Sequence, residues 1–127
     1  WVLARYLRYA ISGKDIRKQD IFRVFAAVST NSVGQQLAFD FIRTNWDEIK
    51  AYLGSTMNNL YMILSFPTKR MNTKYNLIEL EDFIKIKFTE IPRSVQQHIE
   101  QIKVNIDWMD RNYAAIVNWL ESQKVYN

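Results

Sequence analysis

The chain has 127 residues, 48% of them hydrophobic and 24% charged, which is the composition of one folded domain or of part of one. Three Gly, two Pro and no Cys exclude a disulfide scaffold and a thiolate metal centre. They also argue against a sandwich or barrel, which needs a turn breaker about every 8–12 residues. The net charge of +4 comes from 17 basic and 13 acidic residues, with mild enrichment at Arg5, Arg8, Lys14, Arg17, Lys18 and Arg23. That is a solvated spread, unlike the basic element of a nucleic-acid binder, which interleaves its cations with aromatics or Gly.

Residues 1–11 read as an amphipathic helix, with Val2, Leu3, Tyr6, Leu7 and Ala10 at helical spacing. No cap precedes them, so Trp1 reads as a cut end. Ser12-Gly13-Lys14-Asp15 is a turn with Gly13 as the terminator. A second helix is expected from about Ile16 to Ser29, on the stripe Ile21, Val24, Phe25 and Val28. Thr30-Asn31-Ser32 then supplies a stop and an N-cap.

The third helix is expected to turn Val33, Leu37, Phe41 and Ile42 inward, with Ala38, Phe39 and Trp46 broadening the face, and to bend or restart near Thr44-Asn45. It continues through Ile49 and Leu53 to Gly54. A short helix follows from Met57 to about Phe66 and closes at Pro67. Asn72-Thr73 caps the next, whose Leu77, Leu80, Phe83, Ile84 and Phe88 face inward before Thr89-Glu90-Ile91-Pro92 breaks it.

In the last stretch Val95, Ile99, Ile102, Ile106, Met109, Tyr113, Ile116 and Leu120 alternate steps of four and three. One long seam and two shorter packed helices both generate this pattern. The cap chemistry of Asp110-Arg111-Asn112 favours two helices with a break near Asn112. The expected class is therefore all-α, with seven or eight helices stacked as antiparallel pairs. No fixed-length repeat marks a consensus array, and an irregular α-solenoid stays open.

No apolar run approaches the roughly 18 residues of a membrane span, and no signal-peptide pattern opens the chain. The one histidine, His98, cannot make the two-imidazole helix of a zinc peptidase, and it reads as an ordinary surface residue. The glycines Gly13, Gly34 and Gly54 stand alone, so there is no phosphate loop. The acidic pairs Glu79 with Asp82, Asp47 with Glu48, and Asp107 with Asp110 read as helix backs and helix ends rather than a carboxylate dyad. The tryptophans Trp46 and Trp108 sit at core spacing and read as packing rather than a stacking surface. No catalytic or metal-binding residue is expected here.

Several stretches together resemble a known family. Ile16-Arg17-Lys18-Gln19-Asp20 is similar to the I-R-x-Q-D signature in the C-terminal helical domain of aminopeptidase N-type zinc metallopeptidases. Asn31-Ser32-Val33-Gly34 follows like that family's N-x-x-G turn. Leu37-Ala38-Phe39-Asp40-Phe41 with Asn45-Trp46 resembles L-A-W-x-F…N-W, with Phe39 in place of Trp. Met71-Asn72-Thr73 resembles F-[NS]-T, with Met in place of Phe. Asn105-Ile106-Asp107-Trp108 and Trp119-Leu120 match N-I-x-W and W-L.

The resemblance implies that residues 1–127 are the C-terminal part of a HEAT-like right-handed stack of helix pairs, the last domain of an enzyme that removes N-terminal amino acids from peptides. In that family the zinc, its His-Glu-x-x-His ligands and a Gly-Ala-Met-Glu-Asn loop lie upstream, so this segment carries no cofactor and no catalytic residue. The implied partners are the catalytic domain of the same chain, over which the helical domain closes, and peptide substrates. A parent homodimer is possible within the family, and neither nucleic acid nor direct membrane contact is implied. The parent would stand outside the cell or in the secretory lumen, with a cytosolic member as the other option.

The motif residues carry structural expectations. Arg17 and Asp20 would form an ion pair or capping bond at a helix start, in the motif that also holds Gln19. Gly34 would permit close helix approach or relieve a turn. Trp46, Trp108 and Trp119 would pack between layers, with Asn105 in the motif beside Trp108. Arg43, Lys69 and Arg93 are candidates for attracting peptide carboxylates, on a face that stays open at this point. Two other readings remain open: a free-standing helical interaction module, and a nucleic-acid binder suggested by the pI near 9.4.

Overall fold

The computed structural model describes residues 1–54 and 56–124. Among them are seven α-helices and no strand, so the all-α class expected from the sequence holds. The chain divides into two compact units, residues 1–69 and residues 70–127.

The first unit holds five helices: α1 (Val2–Ala10), α2 (Ile21–Val28), α3 (Ser32–Thr44), α4 (Trp46–Leu53) and α5 (Met57–Thr68). Helices α2 and α3 are central, each touching both α1 and α5, while α4 packs on α3 and α5. Leu7, Ala10 and Ile11 give α1 its buried side. Gly13 turns the chain at φ 72°, a conformation open to glycine because it has no β-carbon. The expected second helix is shorter at its start: Arg17 is extended and Lys18–Asp20 form a 3-10 turn before α2 begins. Its stripe is the expected one, with Ile21, Val24, Phe25 and Val28 buried. Burying a side chain such as Phe25 contributes on the order of 2–3 kcal/mol.

Asn31 caps α3, its side chain accepting from the Gly34 N–H at 2.8 Å, which satisfies one of the orphan donors of the first turn. The inward face of α3 is rotated from the expected one. Ala38, Phe39 and Ile42 are fully buried, Leu37 and Phe41 are half-buried, and Val33 is 73% exposed. Helix α3 ends at Asn45, whose side-chain amide donates to the Phe41 carbonyl at 2.9 Å, and α4 restarts at the next residue. Helix α5 buries Leu60, Ile63 and Leu64 and runs one residue beyond Pro67. Its last residue, Thr68, is buried and donates its hydroxyl to the Leu64 carbonyl at 2.8 Å.

The second unit is a pair of helices in contact, α6 (Lys74–Lys87) and α7 (Arg93–Lys124). Thr73 caps α6 by accepting from the Asn76 N–H at 3.2 Å. Leu80, Phe83, Ile84 and Phe88 are buried, and so are Val95, Ile102 and Ile106. The expected break near Asn112 does not occur, for α7 runs unbroken for 32 residues. Neither Gly nor Pro interrupts residues 93–124. The Asn112 side chain donates back to the Trp108 carbonyl at 2.9 Å, and Arg111 pairs with Asp107 across one turn at 3.0 Å. Cap-forming residues here serve the helix interior.

Candidate functional site

The motif residues gather at two places in the first unit. At the entry to α2, Arg17 Nε donates to Asp20 Oδ2 at 2.9 Å. The Arg17 side chain is 77% exposed, so the pair fixes geometry more than it adds stability, on the order of 0–1 kcal/mol. The pair borders an open hollow of about 510 Å³ beside Tyr6, Asp15 and Arg23. Arg17 and Gln19 also border a second hollow of about 370 Å³, with Phe22, Leu53 and Asn59.

The other place is the junction of α2, α3 and α4. Gly34 is buried, and a β-carbon added to it would stand 1.8 Å from the Val28 carbonyl oxygen. The start of α3 is thereby seated against the end of α2. Trp46 opens α4 and is 4% exposed. The arginine that ties this junction to α1 is Arg8, which lies outside the family motifs. Its guanidinium donates to Glu48 Oε2 at 2.8 Å and to Asn45 Oδ1 at 2.7 Å, and lies 5.2 Å from the Phe41 ring centroid. Its partners are 37 and 40 residues away in sequence, beyond the reach of any local spacing rule. Arg43, a candidate for peptide carboxylates, bonds Asp40 and lies 4.7 Å from the Phe39 ring centroid.

In the second unit Asn105 is half-buried and its amide donates to the Met71 carbonyl at 3.1 Å, joining α7 to the residue that begins the Met71-Asn72-Thr73 motif. Trp108 and Trp119 lie on the exposed part of α7 among the described residues. They are 53% and 62% exposed, because the buried seam of α7 ends near Ile106. His98 is half-buried rather than a plain surface residue, and burial pushes its imidazole below the usual 6.5. An open hollow of about 500 Å³ lies beside the cap of α6, with Thr73, Lys74, Asp110 and Tyr113 on its walls.

Among the described residues no group of three or more His, Cys, Asp or Glu side chains is placed to hold a metal ion. No helix among the described residues is long and apolar enough to cross a membrane.

The family model for the ERAP1-like C-terminal domain matches residues 1–104. The chain is 33% identical over 125 residues to aminopeptidase N of Bos taurus, covering 95% of this chain and 13% of that protein. It is 35% identical over 127 residues to aminopeptidase Ey of Gallus gallus, covering 97% of this chain and 13% of that protein. With endoplasmic reticulum aminopeptidase 1 of Homo sapiens it shares 34% identity over 121 residues, 91% of this chain and 12% of that protein. The chain thus spans about 13% of the length of these curated relatives. Matched along most of its length by that model and by these aminopeptidases, the chain belongs to the family of the ERAP1-like C-terminal domain.

Proposed function

We propose that residues 1–127 are the non-catalytic C-terminal segment of a zinc aminopeptidase that removes N-terminal amino acids from peptides. The observation that carries this reading is the similarity to aminopeptidase N over 95% of the chain. In this reading the helices are the last part of a HEAT-like right-handed stack that closes over the catalytic domain of the same polypeptide and walls the chamber where peptides are cut. The Arg17–Asp20 pair, the Gly34 contact and the Trp46 packing hold the helix angles that shape this wall. The zinc and its ligands belong to the upstream domain, and the segment limits the access of peptides to the chamber. The parent acts at the outer face of the plasma membrane or in the secretory lumen, with a cytosolic member as the other option.

The test compares the full-length protein, the protein lacking residues 1–127 and the isolated chain. The full-length protein is expected to release the aromatic amine from an aminoacyl-anilide and to trim peptides. The isolated chain is expected to release none, with or without added zinc. Activity in the purified chain would refute this division of labour. Full-length protein without aminopeptidase activity would refute the reading itself.

A further inference from the structure

Helix α7 has 32 residues and is about 48 Å long, whereas α6 has 14 residues and is about 21 Å long. Helix α6 therefore has the length to cover less than half of α7. The apolar steps of four and three do not stop where the cover stops. Ile102 and Ile106 are buried, and the same seam continues through Met109, Tyr113, Ile116 and Leu120, with Tyr113, Ile116 and Leu120 between 42% and 59% exposed. Trp119 stands beside them at 62% exposed. A seam of this period is complementary to another helix, because its knobs fall in the gaps between side chains of a partner with the same 3.5-residue repeat.

We infer that the stripe Met109, Tyr113, Ile116 and Leu120 of α7 seats an amphipathic helix of the same polypeptide, from outside residues 1–127. Two observations select this occupant. The stripe continues, in register, an interface that is already helix on helix, so the occupant is a helix with apolar residues three and four apart. The stripe is also too small for a free partner. From Met109 to Leu120 it is about 18 Å long, and two such strips face to face bury on the order of 400 Å², whereas a stable interface between separate proteins buries about 1,200–2,000 Å². A tethered helix needs far less area, because its effective concentration replaces the missing contacts. The inference rests on the reading that the chain is part of a longer aminopeptidase, of which relatives it spans about 13%.

The experiment uses the full-length protein carrying Ile116→Cys, with maleimide labelling of the peptide around that position followed by mass spectrometry. The expected labelling is at least about tenfold slower than in the urea-unfolded protein, the protection of a site that reacts only on local opening. Labelling at a comparable rate would overturn the inference. The occupant is identified by placing p-benzoylphenylalanine at Leu120 and irradiating. The expected adduct joins Leu120 to a peptide of the same polypeptide outside residues 1–127 with apolar residues at helical spacing. An adduct to a second copy, an adduct within residues 1–127, or no adduct would overturn it. Aminoacyl-anilide hydrolysis by the same preparation is scored separately: its absence counts against the aminopeptidase reading and leaves the adduct as evidence on the stripe.

Discussion

Gly34 and the carbonyl of Val28 occupy one another's contact space: a β-carbon on Gly34 would lie 1.8 Å from the Val28 oxygen and 3.0 Å from its carbon. The clash is with backbone, so no side chain can swing aside to relieve it. Gly34→Ala is expected to lower stability by about 3 kcal/mol, the upper part of the range for overpacking, because α2 and α3 have to separate. The measurement is the urea unfolding midpoint, and a shift of only a few tenths of a kcal/mol would show that the contact is soft.

Asn31 holds the same junction through its cap on the Gly34 N–H. Asn31→Ala is expected to cost about 1 kcal/mol, while Asn31→Asp or Asn31→Ser keeps most of that stability, since each retains a side-chain acceptor. Equal losses in all three variants would mean that the cap is not what the position supplies.

Trp46 and Trp119 are expected to separate sharply under the same substitution. Trp46→Ala empties a buried site and should cost about 3–5 kcal/mol. Trp119→Ala removes an exposed side chain and should stay within about 0.5 kcal/mol in the isolated chain. Thermal unfolding of the pair reads the difference, and similar losses in both would contradict the exposure of Trp119.

His98 ties stability to pH. Burial holds its imidazole below the usual 6.5, so the unfolded chain takes up a proton at a pH where the folded chain still resists it. The unfolded state binds more protons below about 6.5, and stability therefore falls as pH drops through that value toward the lower folded-state pKa. His98→Gln is expected to flatten this dependence in urea titrations between about pH 7.5 and pH 5. An unchanged slope would assign the acid sensitivity to other groups.

Asn105 carries a contact between distant parts of the sequence, its amide reaching the Met71 carbonyl. Asn105→Leu is expected to cost about 1–3 kcal/mol, the penalty for leaving a carbonyl unpaired in a half-buried place. Asn105→Gln is not expected to restore the loss, because the longer side chain changes where the amide falls. Full recovery in the Gln variant would argue against a geometric requirement.

Local chemistry was legible in the sequence wherever it acted over three or four residues. The caps at Asn31 and Thr73, the pairing of Arg17 with Asp20 and the stripe of α2 all follow from such short spacings. The α3 face differs from the expected one because Val33, one residue after the start of the helix, is apolar but lies on the first turn, where it is largely exposed. The unbroken course of α7 differs from the expected pair of helices for another reason. One long seam and two shorter helices write the same pattern, and Asn112 and Arg111, from the stretch that offers cap chemistry, are absorbed by bonds to Trp108 and Asp107. The role of Arg8 is not legible in the sequence because its acceptors come from α4 and the residue before it.

The unbroken course of α7 has a mechanical consequence. With neither glycine nor proline to bend it, the helix moves as a stiff strut, and a tilt of about 10° at its covered end swings the far tip by about 8 Å over its length of about 48 Å. Small adjustments at the α6 contact are thereby magnified into displacements the size of a side chain or more at Trp119.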